Sequence, residues 1–377
     1  MVDYIKHPLE QKGFLSIVGS CKRFRESKLF GNGRKVIRIF LFGYYGMNNY
    51  GDEMLFRSII KLLKEVGIQE LNLLYPKAGS RKIGGIMIKH IPRNSPITIF
   101  KAIKESDMII GGGGNIFQDE TSTRSFLYYR CLVSTALFYK KPVYLLGHGI
   151  GRIHSKKNYA RLRKILSNEL CTGYFRDTIS YRYARTCSER HRRGTDLGYY
   201  FLQNRLPSKR IPSRIGVFLK RPWLNPEDFV QPFKEEGLNE VHFFVAFPEQ
   251  DLGAAELSGQ RFGKHFDSAV KVGEVNEITD QASSCSLIIS ERLHGSIIAS
   301  HFGIPFLSSD TFKMRSYFSD MEGYHAFFKD KSISEIAYAF SKLKEINFEQ
   351  NNAQFMNRNQ ARLKAMKKWL KVQISGI

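Results

Sequence analysis

Val36-Ile-Arg-Ile-Phe-Leu-Phe42 runs directly into Gly43-Tyr-Tyr-Gly-Met-Asn-Asn-Tyr-Gly-Asp-Glu53, and the segment Met54 to Val66 then places Leu55, Ile59, Leu62, Leu63 and Val66 at helical spacing. The β-branched and aromatic run reads as a buried strand, the glycine-punctuated stretch as its loop, and the periodic segment as a helix. The same order recurs along the chain. Leu71-Asn-Leu-Leu-Tyr75 is a second strand, and Met108-Ile-Ile110 a third that enters Gly111-Gly-Gly-Gly114. Pro142-Val-Tyr-Leu-Leu146 is a fourth, entering Gly147-His-Gly-Ile-Gly151, with helical patterns around Leu127 to Phe138 and Tyr159 to Leu170. Alternation of strand and helix predicts a mostly parallel, doubly wound sheet.

After a polar stretch from Leu206 to Arg214, read as a linker, the pattern restarts in Ile215-Gly-Val-Phe-Leu219, Val241-His-Phe-Phe-Val245, Leu287-Ile-Ile289 and Ile304-Pro-Phe-Leu307. The expected fold class is α/β, with two Rossmann-like domains facing each other across a cleft. They span residues 35–205 and 213–345. A basic extension over residues 1–34, ending in the turn signal Gly31-Asn-Gly33, and a basic amphipathic helix over residues 346–377 flank them. In open α/β sheets ligands sit outside the carboxyl ends of the strands, which is where all these glycine-rich loops fall.

Composition narrows the partners. A chain of 377 residues, 42% hydrophobic, can bury two ordinary cores. Lys and Arg number 58 against 35 Asp and Glu, a net +23, which favours a polyanionic partner: nucleic acid, an acidic membrane surface or a phosphate-rich small substrate. No stretch approaches the roughly 18 apolar residues of a spanning helix, and Met1 to Gln11 has no apolar core of a signal peptide. Cys21, Cys131, Cys171, Cys187 and Cys285 are odd in number and far apart, a pattern of reduced cytoplasmic thiols.

Several segments carry candidate chemistry. Gly111 to Gly114, with Asn115, lets backbone N–H groups approach an anion, or else is a tight strand-to-helix turn; it lacks the Gly-Lys-Ser/Thr of a P-loop. In the first loop Asn49, Asp52 and Glu53 suit sugar hydroxyls, while Asp52 equally suits an N-cap for a helix beginning near Met54. Phe175-Arg176-Asp177 puts an arginine at a strand end, where it either pairs with Asp177 or offers its fork to an anion. In Ser290-Glu-Arg-Leu-His-Gly-Ser-Ile-Ile-Ala-Ser300 a strand ends and a helix begins, with His294 in the first turn and Arg292 just before it. A helix N-terminus lowers a histidine's pKa and a nearby anion raises it, so His294 suits proton transfer. Lys313 is a further cation at a strand's carboxyl end. No metal-binding pattern is present. In the last helix Phe355, Leu363, Met366 and Leu370 share one face. Either that stripe packs on the body, or Trp369 and the lysines rest on anionic lipid.

From about residue 36 to 330 the chain resembles the polysaccharide pyruvyl transferases. The matching stretches are Gly43-Tyr-Tyr-Gly with Asn49-Tyr-Gly-Asp-Glu53, Gly111-Gly-Gly-Gly-Asn-Ile-Phe-Gln-Asp119, Gly147-His-Gly-Ile-Gly151, Arg176-Asp-Thr-Ile-Ser180, Gly194-Thr-Asp196, Gly216-Val-Phe-Leu219 and Arg292-Leu-His294. The resemblance implies a fold similar to B-type glycosyltransferases, with the acceptor on the first domain and the donor on the second. It implies phosphoenolpyruvate as donor and co-substrate, with no cofactor, held by Arg176, Arg292 and Lys313, and His294 as the acid–base residue. Acceptor or anion-binding positions would be Asn49, Asp52, Gly111, Gly112, Gly113, Gly114, Gln118, Asp119 and His148. The family often has Gln where His148 stands and Pro where Arg152 stands, and Lys313 needs one residue more than the pattern. The implied reaction moves pyruvate onto sugar hydroxyls of a polysaccharide, or of its lipid-linked precursor, as a ketal with release of phosphate. The implied location is cytoplasmic, extending to peripheral attachment at the inner membrane face. The alternatives are a B-type glycosyltransferase using a nucleotide sugar, against which stands the lack of an acidic pair for the donor ribose, and a basic nucleic-acid-binding protein. Nucleic acid is not the expected partner, since aromatic-interleaved basic platforms and known binding motifs are absent.

Overall fold

The computed structural model describes residues 37–376, together with the backbone of Leu29–Phe30 and Arg34–Lys35. These two short strands, β1 (Leu29–Phe30) and β2 (Arg34–Lys35), pair antiparallel within residues 1–36, a compact unit of their own. The rest of the basic extension, Cys21, the turn read at Gly31-Asn-Gly33 and Val36 lie outside the described residues.

From Ile37 onward the chain builds two sheets in one compact unit. The first half runs β3 (Ile39–Phe42), α1 (Tyr50–Glu65), β4 (Glu70–Tyr75), β5 (Gly79–Ile83), β6 (Ile86–Pro92), α2 (Pro96–Glu105), β7 (Met108–Phe117), α3 (Thr123–Phe138), β8 (Val143–Ile150), α4 (Lys156–Ser167), β9 (Cys171–Phe175), α5 (Thr178–Cys187), β10 (Arg192–Arg193) and α6 (Gly198–Leu202). The second runs β11 (Ile211–Phe218), α7 (Val230–Glu235), β12 (Glu240–Phe244), α8 (Pro248–Phe262), β13 (Asp267–Lys271), α9 (Val275–Ser283), β14 (Cys285–Ser290), α10 (Leu293–His301), β15 (Phe306–Ser309), α11 (Phe312–Phe318), β16 (Phe327–Phe328), α12 (Ile333–Lys344) and α13 (Phe348–Ser375).

The first sheet has the order β10-β9-β8-β7-β3-β4-β6-β5, parallel except where β5 meets β6. The second is β13-β12-β11-β14-β15-β16 and parallel throughout. In each, the chain starts centrally, fills one side, and returns to fill the other. The switch points therefore lie between β3 and β7 and between β11 and β14, where open α/β sheets leave a crevice. Helices cover both faces, so the central strands β3, β7, β8, β14 and β15 are buried without alternation, whereas β5, β6 and β13, at or next to the sheet edges, are not. On β3, Ile39 and Leu41 pack with α1 and α13, while Phe40 and Phe42 pack with α2 to α5.

Helices α1 and α13, with the short α6, join the halves. Tyr50 and Met54 of α1 belong to the core of the second half. Helix α13 places Phe355 in that core and Leu363, Met366, Leu370 and Ile374 in the core of the first. Trp369 packs on Tyr144 and Tyr174, with ring centroids 4.9 and 5.1 Å away, and Lys367 pairs with Glu65. Of the two readings of this helix, the structure has the packed one: the tryptophan is engaged by protein, and Lys364, Lys368 and Lys371 remain exposed. Among the described residues no helix is long and apolar enough to cross a membrane.

Four sequence readings need correction. Gly111 to Gly114 do not form a turn into a helix; they lie inside β7, and α3 starts only at Thr123 with Ser122 as its cap. Likewise β8 continues through Gly147 to Ile150. Glycine runs inside a buried strand are rare, and local propensity gave no sign of it. The stretch read as linker already contributes Ile211 to Arg214 to β11. Helix α1 begins at Tyr50, and Asn49 caps it by accepting from the N–H groups of Gly51 and Asp52. Asp52 is not the cap.

Because α13 spans both cores, trimming one of its buried side chains should destabilise the whole molecule. Leu370→Ala is expected to cost about 2–5 kcal/mol, read as a lower midpoint in a denaturant titration with an unchanged slope.

Candidate active site

The site is assembled where the two switch points face each other. The loop from β3 to α1 is fixed first: Tyr45 donates its hydroxyl to the Gly112 carbonyl, Arg93 donates to the Gly43 carbonyl, and Gly46 N–H donates to Glu53 at 2.8 Å. The start of α1 is then tied to the second half. Tyr50 N–H donates to the Ala246 carbonyl at 2.7 Å, and its hydroxyl lies 2.6 Å from Thr279 Oγ1. This leaves Asp52 half-buried in the first turn, where the helix N-terminus favours negative charge.

His294 sits in the first turn of α10 and lies against α1. A Cβ on Gly51 would stand 2.0 Å from its Nδ1, so only glycine permits the contact. Its Nε2 is 3.5 Å from Asp196 Oδ1. Burial pushes the imidazole pKa down; Asp196 pulls it up, and Lys313 and Arg176 push it down again. His294 thus lies between the two halves, its Nδ1 against Gly51 and its Nε2 toward Asp196.

Arg176, at the end of β9, is almost fully buried. One arm of its guanidinium donates to Asp196 at 2.5 Å and another to Asn115 Oδ1 at 3.0 Å. A Cβ on Gly149 would lie 2.0 Å from that Asn115 oxygen and 3.0 Å from Arg176 Nε, so this glycine admits the pair. Burial alone would raise the Asp196 carboxyl, yet Arg176, His294 and the Gly198 N–H hold it well below the usual carboxylate range. Asp177, the neighbour suspected as the arginine's partner, instead caps α5 and accepts from Ser316.

Lys313 lies at the start of α11, half-buried. Its ammonium pKa is pushed down by burial and by Arg176 and Lys220, against the pull of Asp52 and Asp196. Asp52 moves the other way: burial raises it, as do Glu53 and Asp196, against Lys313 and Arg176. Lys220, just beyond β11 and solvent-accessible, is also pushed down, by enclosure and by Arg292. Arg292 is held by Asp251 through two N–H groups and donates to Gln250 at 3.3 Å. The forks of Arg176 and Arg292, expected to grip an anion, are thus both taken by protein groups.

The remaining polar candidates have other partners. His148 is fully buried between Phe42 and Phe117, and burial with Arg176 nearby pushes its pKa down to about 3. Asp119 accepts from the N–H groups of His154 and Ser155 and from Asn158, fastening the start of α4. Gln118 bonds Thr121 within its own turn. Lys220 and Asp251 had no signal in the sequence, Asn115 was read only with its glycine run, and Asp196 stood only inside a matching stretch. Among the described residues no group of His, Cys, Asp or Glu is arranged to hold a metal ion.

Residues 49–310 match the model of the polysaccharide pyruvyl transferases, and the chain belongs to that family. No curated protein matches the sequence. In solved structures the fold is similar to UDP-GlcNAc 2-epimerases. That of Neisseria meningitidis, bound to UDP-GlcNAc, has a TM-score of 0.54 at 11% identity, covering 84% of this chain and 93% of the other. That of Methanocaldococcus jannaschii has 0.53 at 10%, covering 86% and 99%. That of Rickettsia bellii has 0.53 at 10%, covering 89% and 98%. At such identities the likeness is one of fold: two Rossmann-like halves arranged as in B-type glycosyltransferases.

The Arg176–Asp196 pair should behave as a buried ion pair. Asp196→Asn leaves an uncompensated buried guanidinium, at a cost of about 3–5 kcal/mol. Since the carboxyl is held low in the folded state, its contribution is full above the ordinary carboxylate range and is lost as pH falls through the folded value. Denaturation of both proteins at several pH values should therefore show a gap that closes on strong acidification.

Proposed function

We propose that this enzyme transfers pyruvate from phosphoenolpyruvate to sugar hydroxyls of a polysaccharide, or of its lipid-linked precursor, as a ketal with release of phosphate. One observation carries the reading. In a chain of this family, Lys313 stands near Arg176 and His294 and Lys220 near Lys313 and Arg292, and both lysines are pushed below their ordinary pKa. Burial first, and the neighbouring cations second, disfavour the charged ammoniums here, and a small polyanion would relieve the second effect. Phosphoenolpyruvate, with about three negative charges near neutrality, fits that demand.

In this reading Lys313 and Lys220 touch the donor. Arg176 and Arg292, their forks already occupied, act through their charge. His294 gives a proton to the methylene carbon of the donor, and the cations stabilise the departing phosphate. Binding of the trianion raises the His294 pKa toward the range where it can act as an acid.

Two measurements test this. Calorimetry should detect phosphoenolpyruvate binding that Lys313→Ala weakens, and an NMR titration of the His294 ring should move to higher pH when the donor is added. His294→Gln should still bind the donor and lose about 10²–10⁴-fold in turnover. Donor binding that does not respond to Lys313, with an unmoved His294 titration, would remove phosphoenolpyruvate from the cleft.

We also propose that the enzyme works at the cytoplasmic face of the membrane, where lipid-linked acceptors are found. Support comes from the net +23 and from exposed Lys364, Lys368 and Lys371 on α13. Each contributes on the order of 1 kcal/mol near anionic lipid. Sedimentation with anionic vesicles at low salt should be weaker for the triple Lys→Glu variant; equal pelleting of both proteins would discard this helix as the contact.

A further inference from the structure

We propose that Asp52 is the base that takes the proton of the attacking acceptor hydroxyl. The inference rests on the pyruvyl-transfer reading above and adds a second reacting group to it.

The carboxylates around the cluster are spent, with one exception. Asp196 serves Arg176, the Gly198 N–H and His294. Asp251 serves Arg292 and the Phe247 N–H. Glu53 accepts from the Gly46 N–H. Asp52 accepts no hydrogen bond from a described residue, because Asn49 has taken over the capping of α1. The acid is therefore placed by the helix without being used by it.

Its surroundings leave room for a reactant. Gly114 has a φ of +86°, and a Cβ there would meet only Asp52 Oδ1 at 3.8 Å and Ile116 at 3.9 Å. The carboxylate thus meets bare backbone there, with ordinary van der Waals spacing and no crowding side chain. Lys313 and Arg176 lie close enough to act on its charge, so it is next to the cations assigned to the donor.

The reaction balances with two proton-carrying groups. The first hydroxyl gives its proton to Asp52 as its oxygen forms a bond to the central carbon of phosphoenolpyruvate, and the vinyl electrons take a proton from His294 at the methylene carbon. The carbon–oxygen bond to phosphate then breaks, the electron pair leaving with phosphate, which takes the proton held by Asp52. The second hydroxyl closes the ketal and returns its proton to His294. No other reactant is consumed.

The groups facing Asp52 set the pH dependence: Glu53 on α1, Tyr44 and Tyr45 on the preceding loop, Lys313 on α11, Arg176 at the end of β9, and Asp196 before α6, which in turn meets His294 on α10. Burial, Glu53 and Asp196 raise the carboxyl above its ordinary range. A base with a raised pKa holds a proton better, and its activity falls as pH drops through that value. The acidic limb of the rate profile should thus lie well above that of an ordinary carboxylate.

The experiment uses the full-length protein, phosphoenolpyruvate labelled in the pyruvyl carbons, and the membrane fraction of the cells that make the protein as acceptor. Asp52→Asn should melt like the wild type, bind phosphoenolpyruvate with affinity within a few-fold of it, lose about 10²–10⁴-fold in label transfer, and lose the acidic limb. Asp52→Glu should recover part of the rate together with the limb. If the wild type transfers no label, the pyruvyl reading itself fails and Asp52 goes with it. If the wild type transfers label and Asp52→Asn does so nearly as well, only the base is wrong. A loss of transfer matched by an equal loss of donor affinity, or an acidic limb that survives in Asp52→Asn, equally overturns the assignment.

Discussion

The contact on which the rest depends is between an imidazole and a bare helix turn. His294 begins one helix, Gly51 begins another, and the first can lie on the second only because no side chain stands between them. The contact brings the N-terminal ends of α1 and α10 together, one from each sheet's switch point. Everything chemical is arranged around it. Asp52 is one residue beyond Gly51, Asp196 faces His294 Nε2, and Arg176 holds Asp196 in place. The hydrogen bond from Tyr50 to Ala246 and the docking of α13 over both cores keep the two halves in register around this point.

Charge is organised in two tiers. The buried tier, Arg176 with Asp196, contributes little net stability, because desolvation offsets most of the attraction. What it supplies is a fixed positive charge and a fixed orientation for His294. The second tier is Lys313, Lys220 and Asp52, whose protonation is unsettled chiefly by burial: the lysines are pushed down and the acid up. Preorganised charge of this kind needs no rearrangement when a reacting anion arrives.

Much of this was legible beforehand. Strand-loop-helix alternation gave both sheets, because buried parallel strands and amphipathic helices leave opposite signatures. The approach of His294, Arg292, Arg176, Lys313 and Asp52 to one cleft followed from their positions at strand ends. What was not legible depends on long-range pairing. Asp196 and Asn115 lie 20 and 61 residues from Arg176, and nothing local marks them as its partners. Lys220 was one cation among 58. That Asp119 fastens the start of α4 and that His148 is buried between two rings was not legible for a related reason: a conspicuous side chain next to a glycine looks the same in sequence wherever it points.

The glycine-rich strand explains why cations carry so much of the site. Had Gly111 to Gly114 turned into a helix, its N–H groups and the helix end would have offered an anion cradle made of backbone. Instead these residues continue β7 and pair with β8, so much of their hydrogen-bonding capacity goes to the sheet. Their smallness serves packing: Gly111 admits the rings of His148 and Phe42, and Gly112 admits the Tyr45 hydroxyl. With the backbone spent on the sheet, the proposed recognition of an anionic donor falls to side chains delivered by other strands, and each must come from a different element to converge. Lys220 follows β11, Arg292 follows β14, Lys313 follows β15 and Arg176 follows β9. That convergence of separate strand ends gives the paired-sheet architecture its use here, since a single sheet offers one switch point and this site draws on two.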